Sequence, residues 1–189
     1  MTRCSRVVSL CLGFAFAFAT SAVHAQTEKE IAAAAAAAAP RIFISAKDVE
    51  ALVAAQSAPD KAGPRSTLSP LLIGAPFTAI MEYREGSSGI SRDYHAHSTE
   101  GELFVVLDGS GAISVGGELV NPTLDDIGTY HSSSIVGSTI YPVVKGDMLL
   151  LPENTPHKVT AVNGRLVLMT LHLPRPATSA KASSGPAVH

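Results

Sequence analysis

From Leu71 to Leu173 the chain is cut into short apolar or alternating runs, at 71–74, 76–84, 91–97, 102–108, 111–115, 140–144, 147–151, 156–161 and 165–173. Glycine, proline and acidic residues punctuate them. Short alternating runs read as β-strands, and many of them in succession with turn residues between describe an antiparallel sandwich or barrel. The strongest turn chemistry lies at Asp108-Gly109-Ser110-Gly111 and at Val162-Asn163-Gly164-Arg165, so a hairpin is predicted at each. The expected fold is all-β, a barrel of antiparallel strands preceded by a short helical segment.

The rest of the chain divides around that barrel. Residues 1–25 have the layout of a secretory signal. Arg3 and Arg6 lead, Val7 to Ala19 is almost wholly apolar, and small residues follow up to Ala25. The apolar run falls short of the roughly 20 residues that cross a bilayer, so the expectation is a cleaved signal and a secreted or periplasmic product without stable membrane insertion. Both cysteines, Cys4 and Cys11, lie in this leader. The remainder has no disulfide, no thiol nucleophile and no thiolate ligand. Residues 26–70 read as a spacer and a short helix. An alanine tract precedes Pro40, Ser45 can cap a helix with Asp48 three positions on, and Val49, Leu52 and Val53 give that helix one apolar face. Residues 57–70 read as a connector, 71–175 as the barrel domain and 176–189 as a flexible tail.

Removing Arg3 and Arg6 with the leader leaves acidic residues in excess. No Lys/Arg cluster supplies the footprint that a nucleic-acid binder needs. Lys29, Arg41 and Lys47 are too sparse for a membrane-binding patch.

Four side chains carry the chemistry. His95 and His97 are two apart and share a face of a strand. After a turn, Glu102, Phe104 and Val106 fall on one face, with Leu103, Val105 and Leu107 on the other. In a second segment, His157, Val159 and Ala161 share a face. Two strands can thus aim three imidazoles and a carboxylate at one point. Neutral imidazole and carboxylate suit one divalent transition metal ion (Fe, Mn, Zn or Ni among them) and are too rich in nitrogen for an ordinary calcium site.

These segments resemble the two motifs of the cupin superfamily. The first, G-x5-H-x-H-x3,4-E-x6-G, is matched in full from Gly89 to Gly109. The second, G-x5-P-x-G-x2-H-x3-N, is matched at Gly146, Pro152 and His157, with Asn154 at the usual glycine and Ala161 at the usual asparagine. The resemblance implies a jelly-roll β-barrel of the small exported single-domain kind and one metal on His95, His97, Glu102 and His157.

The leading functional expectation is a metal-dependent enzyme, an oxidoreductase or dioxygenase, acting on a small polar organic molecule. The alternatives are a non-enzymatic module binding metal or a small ligand, and a metal-dependent lyase or isomerase. A deep cavity beside the metal favours catalysis; a shallow or plugged one favours binding. Residues 116–139 read as a long loop with room for one edge strand, a wall or lid of the pocket. Tyr130 and His131 within it are the candidate catalytic groups. Glu82 and Arg92 are weaker candidates for the mouth, while Tyr94 and His172 read as packing and structural residues. Leu103, Val105, Leu107, Leu149 and Leu151 are expected to face away from the metal. The helix covers some of them, and a homodimer interface covers the rest.

Overall fold

The computed structural model describes residue 33, residues 39–57 and residues 66–175. The leader at 1–25, most of the spacer, residues 58–65 of the connector and the tail at 176–189 lie outside the described residues. Helix α1 (Ala46–Gln56) precedes the strands β1 (Ser66–Gly74), β2 (Phe77–Glu85), β3 (Tyr94–His97) and β4 (Glu100–Val115). There follow β5 (Glu118–Leu119), β6 (Thr123–Leu124), β7 (Thr129–Ser132), β8 (Ile135–Val136), β9 (Thr139–Val144), β10 (Met148–Leu151) and β11 (His157–Pro174). Nine strands make one antiparallel sheet in the order β1-β2-β11-β3-β7-β6, with β4 joined to β11, β9 and β10. β5 and β8 pair separately.

The two predicted hairpins are not hairpins. β4 runs unbroken through Asp108–Gly111 and β11 through Val162–Arg165, and the two strands pair with each other along most of their length. The turn residues serve a bend instead. Before it, Glu102, Phe104 and Val106 point to the interior; beyond it, Ile113 does, so the inward parity changes within 107–112. The pairing register breaks at the same level, between Val162 and Leu166. Gly109 has φ +76°, and a Cβ there would sit 2.1 Å from the Arg165 carbonyl oxygen. Glycine is needed both for the left-handed backbone and for the approach of β11.

Alternation along β11 divides the apolar residues between two cores. Leu166 and Leu168 pack with Phe104, Val106, Ile113, Val143, Leu151 and Val159. Val167 packs on the opposite face with Leu71, Ala79, Met81 and Tyr83, beneath Val49, Leu52 and Val53 of α1. Each fully buried side chain of this size contributes roughly 1.5–3 kcal/mol, which holds a helix too short to persist alone. Ser45 caps α1 as expected: its Oγ accepts the Asp48 N–H at 3.2 Å and donates to the Asp48 carboxylate at 2.7 Å.

Three further readings change. The connector yields its last residues to β1, which starts at Ser66 and takes Pro70 beside a register shift. Residues 116–139 hold four short strands rather than a loop with one. Leu149 and Leu151 face the interior, and Met148 and Leu150 are the residues left outside. The run Met148–Leu151 is apolar on both faces, so periodicity could not orient it. Leu107 does lie under α1, as expected. Among the described residues, no helix is long and apolar enough to cross a membrane.

Candidate metal centre

The site forms where β3, β4 and β11 meet. His157, the first residue of β11, is paired with His95 on one side and with Val115 of β4 on the other. His97 ends β3. A turn through Ser98 and Thr99 then starts β4, so Glu102 returns beside His97. That turn is anchored by Ser98, whose N–H and Oγ both donate to the Gly128 carbonyl, at 2.9 and 2.7 Å. The loop before His157 is tied to the same point by the Asn154 N–H, which donates to the His97 carbonyl at 2.7 Å. Asn154 itself has φ +58°. Asparagine tolerates that left-handed conformation, which explains how it stands where cupins usually carry glycine.

His97, Glu102 and His157 are all buried, and one ligand atom from each lies within 4.8 Å of the others. The three residues are positioned to coordinate a single divalent metal ion. Glu102 Oε2 is 3.1 Å from His157 Nε2 and 3.4 Å from His97 Nε2. His157 Nδ1 faces the Thr155 carbonyl at 3.1 Å. A carbonyl only accepts, so Nδ1 carries the proton and Nε2 presents a lone pair. That lone pair and a carboxylate oxygen are two acceptors facing each other. Accordingly, the buried Glu102 Oε2 makes no hydrogen bond. A shared cation resolves the arrangement, and the donor set fits one. His97 Nδ1 is oriented from behind by Thr129 Oγ1 at 2.9 Å, the support that ligating histidines usually have.

The electrostatics agree. Burial pushes the Glu102 carboxyl up, but the charge that His157, His97 and His172 take on when protonated at low pH, together with the His97 contact, outweighs it and holds the group at about 2. Burial holds His157 below its ordinary value against the pull of Glu102. An ionised carboxylate among neutral imidazoles is the protonation state that metal binding requires.

His95 stands beside this cluster, not within it. Its ring is 6.4 Å from that of His157 and packs edge-on against His131 at 4.8 Å. Burial, then the nearby His157, His131 and His97, lowers it to about 4. His131 lies on β7 opposite His95 in the ladder, with Nε2 2.9 Å from Asp125 Oδ2. Tyr130, the preceding residue, lies opposite Ala96 and projects to the other face of β7. His172 is satisfied by Glu100 at 2.9 Å and approaches Glu102 Oε1 at 3.9 Å, which fits a structural histidine behind the ligands. Tyr94 lies under the Lys158 ammonium at 4.9 Å, a packing role.

A cavity of ≈ 20 Å³ opens beside Glu102 and His157, lined also by His95, Phe104 and a polar wall of Glu82, Arg84, Ser91, Asp93 and Lys158. Neither Tyr130, His131 nor Arg92 is among its lining residues. Glu82 accepts from Thr170 Oγ1 at 2.5 Å and from Arg84 Nε at 3.0 Å. Burial raises its carboxyl, and the Arg84 charge with these hydrogen bonds lowers it further. Sequence reasoning left Glu82 weak and passed over Arg84, Thr129 and Asp125. The available signal was a charged pair at i, i+2 in β2, on the face opposite Met81 and Tyr83. Thr129 and Asp125 had no such signal, because their roles come from pairing across the sheet.

No family model and no curated protein matches the sequence. Solved structures similar to the chain include a cupin protein from Bacteroides fragilis, at 11% identity over 68% of this chain and 94% of that one, TM-score 0.42. A second is an RmlC-like cupin protein from Desulfovibrio desulfuricans, at 23% identity over 59% of this chain and 85% of that one, TM-score 0.41. A third is a cupin superfamily protein from Desulfitobacterium hafniense, at 15% identity, 60% and 83% coverage, TM-score 0.39. These overlaps are partial and distant, and the reading of the site rests on its own residues.

Proposed function

We propose that this chain is an exported cupin module that binds one divalent transition metal ion through His97, Glu102 and His157, with His95 turning in as a fourth ligand. On this reading the nine-stranded sheet closes into a jelly-roll barrel around the site. The observation that carries it is the buried Glu102 oxygen facing the His157 lone pair. Two acceptors at 3.1 Å call for a cation between them.

The cavity favours binding over catalysis. At ≈ 20 Å³ it has room for about one water molecule, and not for the small organic substrate that an oxidoreductase, dioxygenase, lyase or isomerase would require. A bound ion would supply Lewis acidity, or redox chemistry with iron or manganese. The enzyme reading keeps one observation of its own: the Glu82–Arg84–Thr170 group lines the same cavity as the ligands. In such an enzyme His131, through its contact with His95, is the group proposed to handle protons, whereas Tyr130 lies on the other face of β7.

Metal titration by calorimetry, followed by a screen of small carboxylates and polyols against the loaded protein, separates the readings. Tight metal binding with no organic ligand supports the module. Turnover of any of these compounds supports the enzyme. Failure to bind Zn, Mn, Fe or Ni sinks both.

A further inference from the structure

The candidate ligands hang on two separate pieces of backbone. His97 and Glu102 flank the turn through Ser98 and Thr99, and His157 follows the loop at 152–156. The two pieces are remote in sequence and lie backbone to backbone. A Cβ on Gly101 would stand 2.9 Å from the Leu151 carbonyl oxygen, and the Asn154 N–H crosses to the His97 carbonyl at 2.7 Å.

Arg175 spans the same two pieces from outside. It follows Pro174, the last residue of β11, and its own N–H donates to the Thr99 carbonyl at 2.9 Å. In the side chain, Nη2 donates to the Ser98 carbonyl at 3.2 Å and to the Glu153 carboxylate, and Nε lies 3.0 Å from both Glu153 oxygens. Glu153 stands in the loop that leads to His157. None of these bonds goes to a candidate ligand.

Folding stability does not account for this arrangement. The Arg175 side chain is 55% exposed and that of Glu153 27%, and exposed ion pairs contribute little. Geometry does account for it. A guanidinium is a planar fork with donors at fixed angles, so it serves a carboxylate and a carbonyl together and fixes the distance between them. A lysine ammonium on its flexible stem does not.

We propose that Arg175 is a positioning residue of the metal centre: by bonding the turn at 98–99 and Glu153 at once, it keeps His97 and Glu102 in register with His157 and slows release of the ion. This rests on reading those three residues as ligands. The test is release of zinc from the loaded protein into excess chromogenic chelator. R175A and E153A should each speed release about three- to tenfold, less than loss of a group bonded directly to a ligand. R175K, which keeps the charge opposite Glu153 but loses the fork, should fall between R175A and wild type. R175A/E153A should release zinc no faster than R175A, because one bridge is broken in both. The urea midpoints of the metal-free variants should match wild type. Hydrogen exchange of metal-free protein supplies a readout that needs no ion: the Asn154 amide should exchange several-fold faster in R175A.

Wild-type release from R175A overturns the proposal. So does additivity in the double variant, or a urea midpoint that falls in step with the faster release, since either makes the role a general structural one. An Asn154 amide that exchanges in R175A as in wild type removes the bridge, whatever the ion does. A wild type that takes up no zinc, with Asn154 freed in R175A, overturns the ligand reading and with it the role in retention, while confirming the bridge.

Discussion

Gly109→Ala tests the pairing of the two long strands. Alanine at φ +76° carries the left-handed penalty of about 1–2 kcal/mol. Its Cβ would also stand 2.1 Å from the Arg165 carbonyl oxygen and 2.8 Å from the carbonyl carbon. Both belong to backbone, which cannot swing away as a side chain would. Relief requires β4 and β11 to separate locally, an overpacking cost of about 1–3 kcal/mol. The sum is about 3 kcal/mol. Gly164→Ala is the matched control: φ is +72°, and nothing lies within 4 Å of the added Cβ, so only the conformational cost of about 1–2 kcal/mol applies. In urea denaturation, G109A should lower the midpoint by more than about 1 M, and G164A by clearly less. Were residues 108–111 the tight hairpin that their composition suggests, Gly109 would project into solvent and the two variants would cost the same. Equal costs would therefore remove the β4–β11 crossing from the fold.

Without metal, stability should fall with pH between 6.5 and about 4, because over that window the unfolded chain protonates His95 and the folded chain does not. The loss is at most about 3 kcal/mol; buried His157, whose value is also lowered, adds in the same direction. Urea melts of chelated protein at stepped pH measure it, and a flat profile contradicts the burial of these rings. Thr129→Val removes the group that orients His97 and should weaken metal binding about 10–100-fold with little change in fold, read by competition with a chromogenic chelator. Phe104→Ala empties the core beside the His157 ring, 5.6 Å away, and should cost about 3–5 kcal/mol, read by thermal melts.

The cluster of His97, Glu102 and His157 was legible because its geometry is local. Two residues apart on a strand, a short turn and a return strand suffice to bring His97 to Glu102, and the alternation that aims Glu102, Phe104 and Val106 inward holds in the structure. The placement of His157 needed only a strand beginning after Pro156. What was illegible depends on partners remote in sequence. Glycine and asparagine at 108–111 and 162–165 signal left-handed backbone. Whether that backbone makes a turn or a bend is decided by which strand lies alongside. The orientation of Met148–Leu151 fails for another reason, since four apolar residues in a row carry no alternation. The short strands at 118–136 are two to four residues long, a length below any periodicity signal. His95 lies between: its face was read correctly as that of the site, yet its ring packs on His131, which the ladder, not the spacing, places there.

The most direct measurement is metal stoichiometry by elemental analysis, on native protein and after reconstitution, with His157→Ala and Glu102→Gln alongside. One ion per chain in the native protein, lost on removal of either side chain while circular dichroism is unchanged, is the expected result. Substoichiometric metal that does not rise on reconstitution, or full occupancy in both variants, would mean that His97, Glu102 and His157 converge for a reason other than a metal.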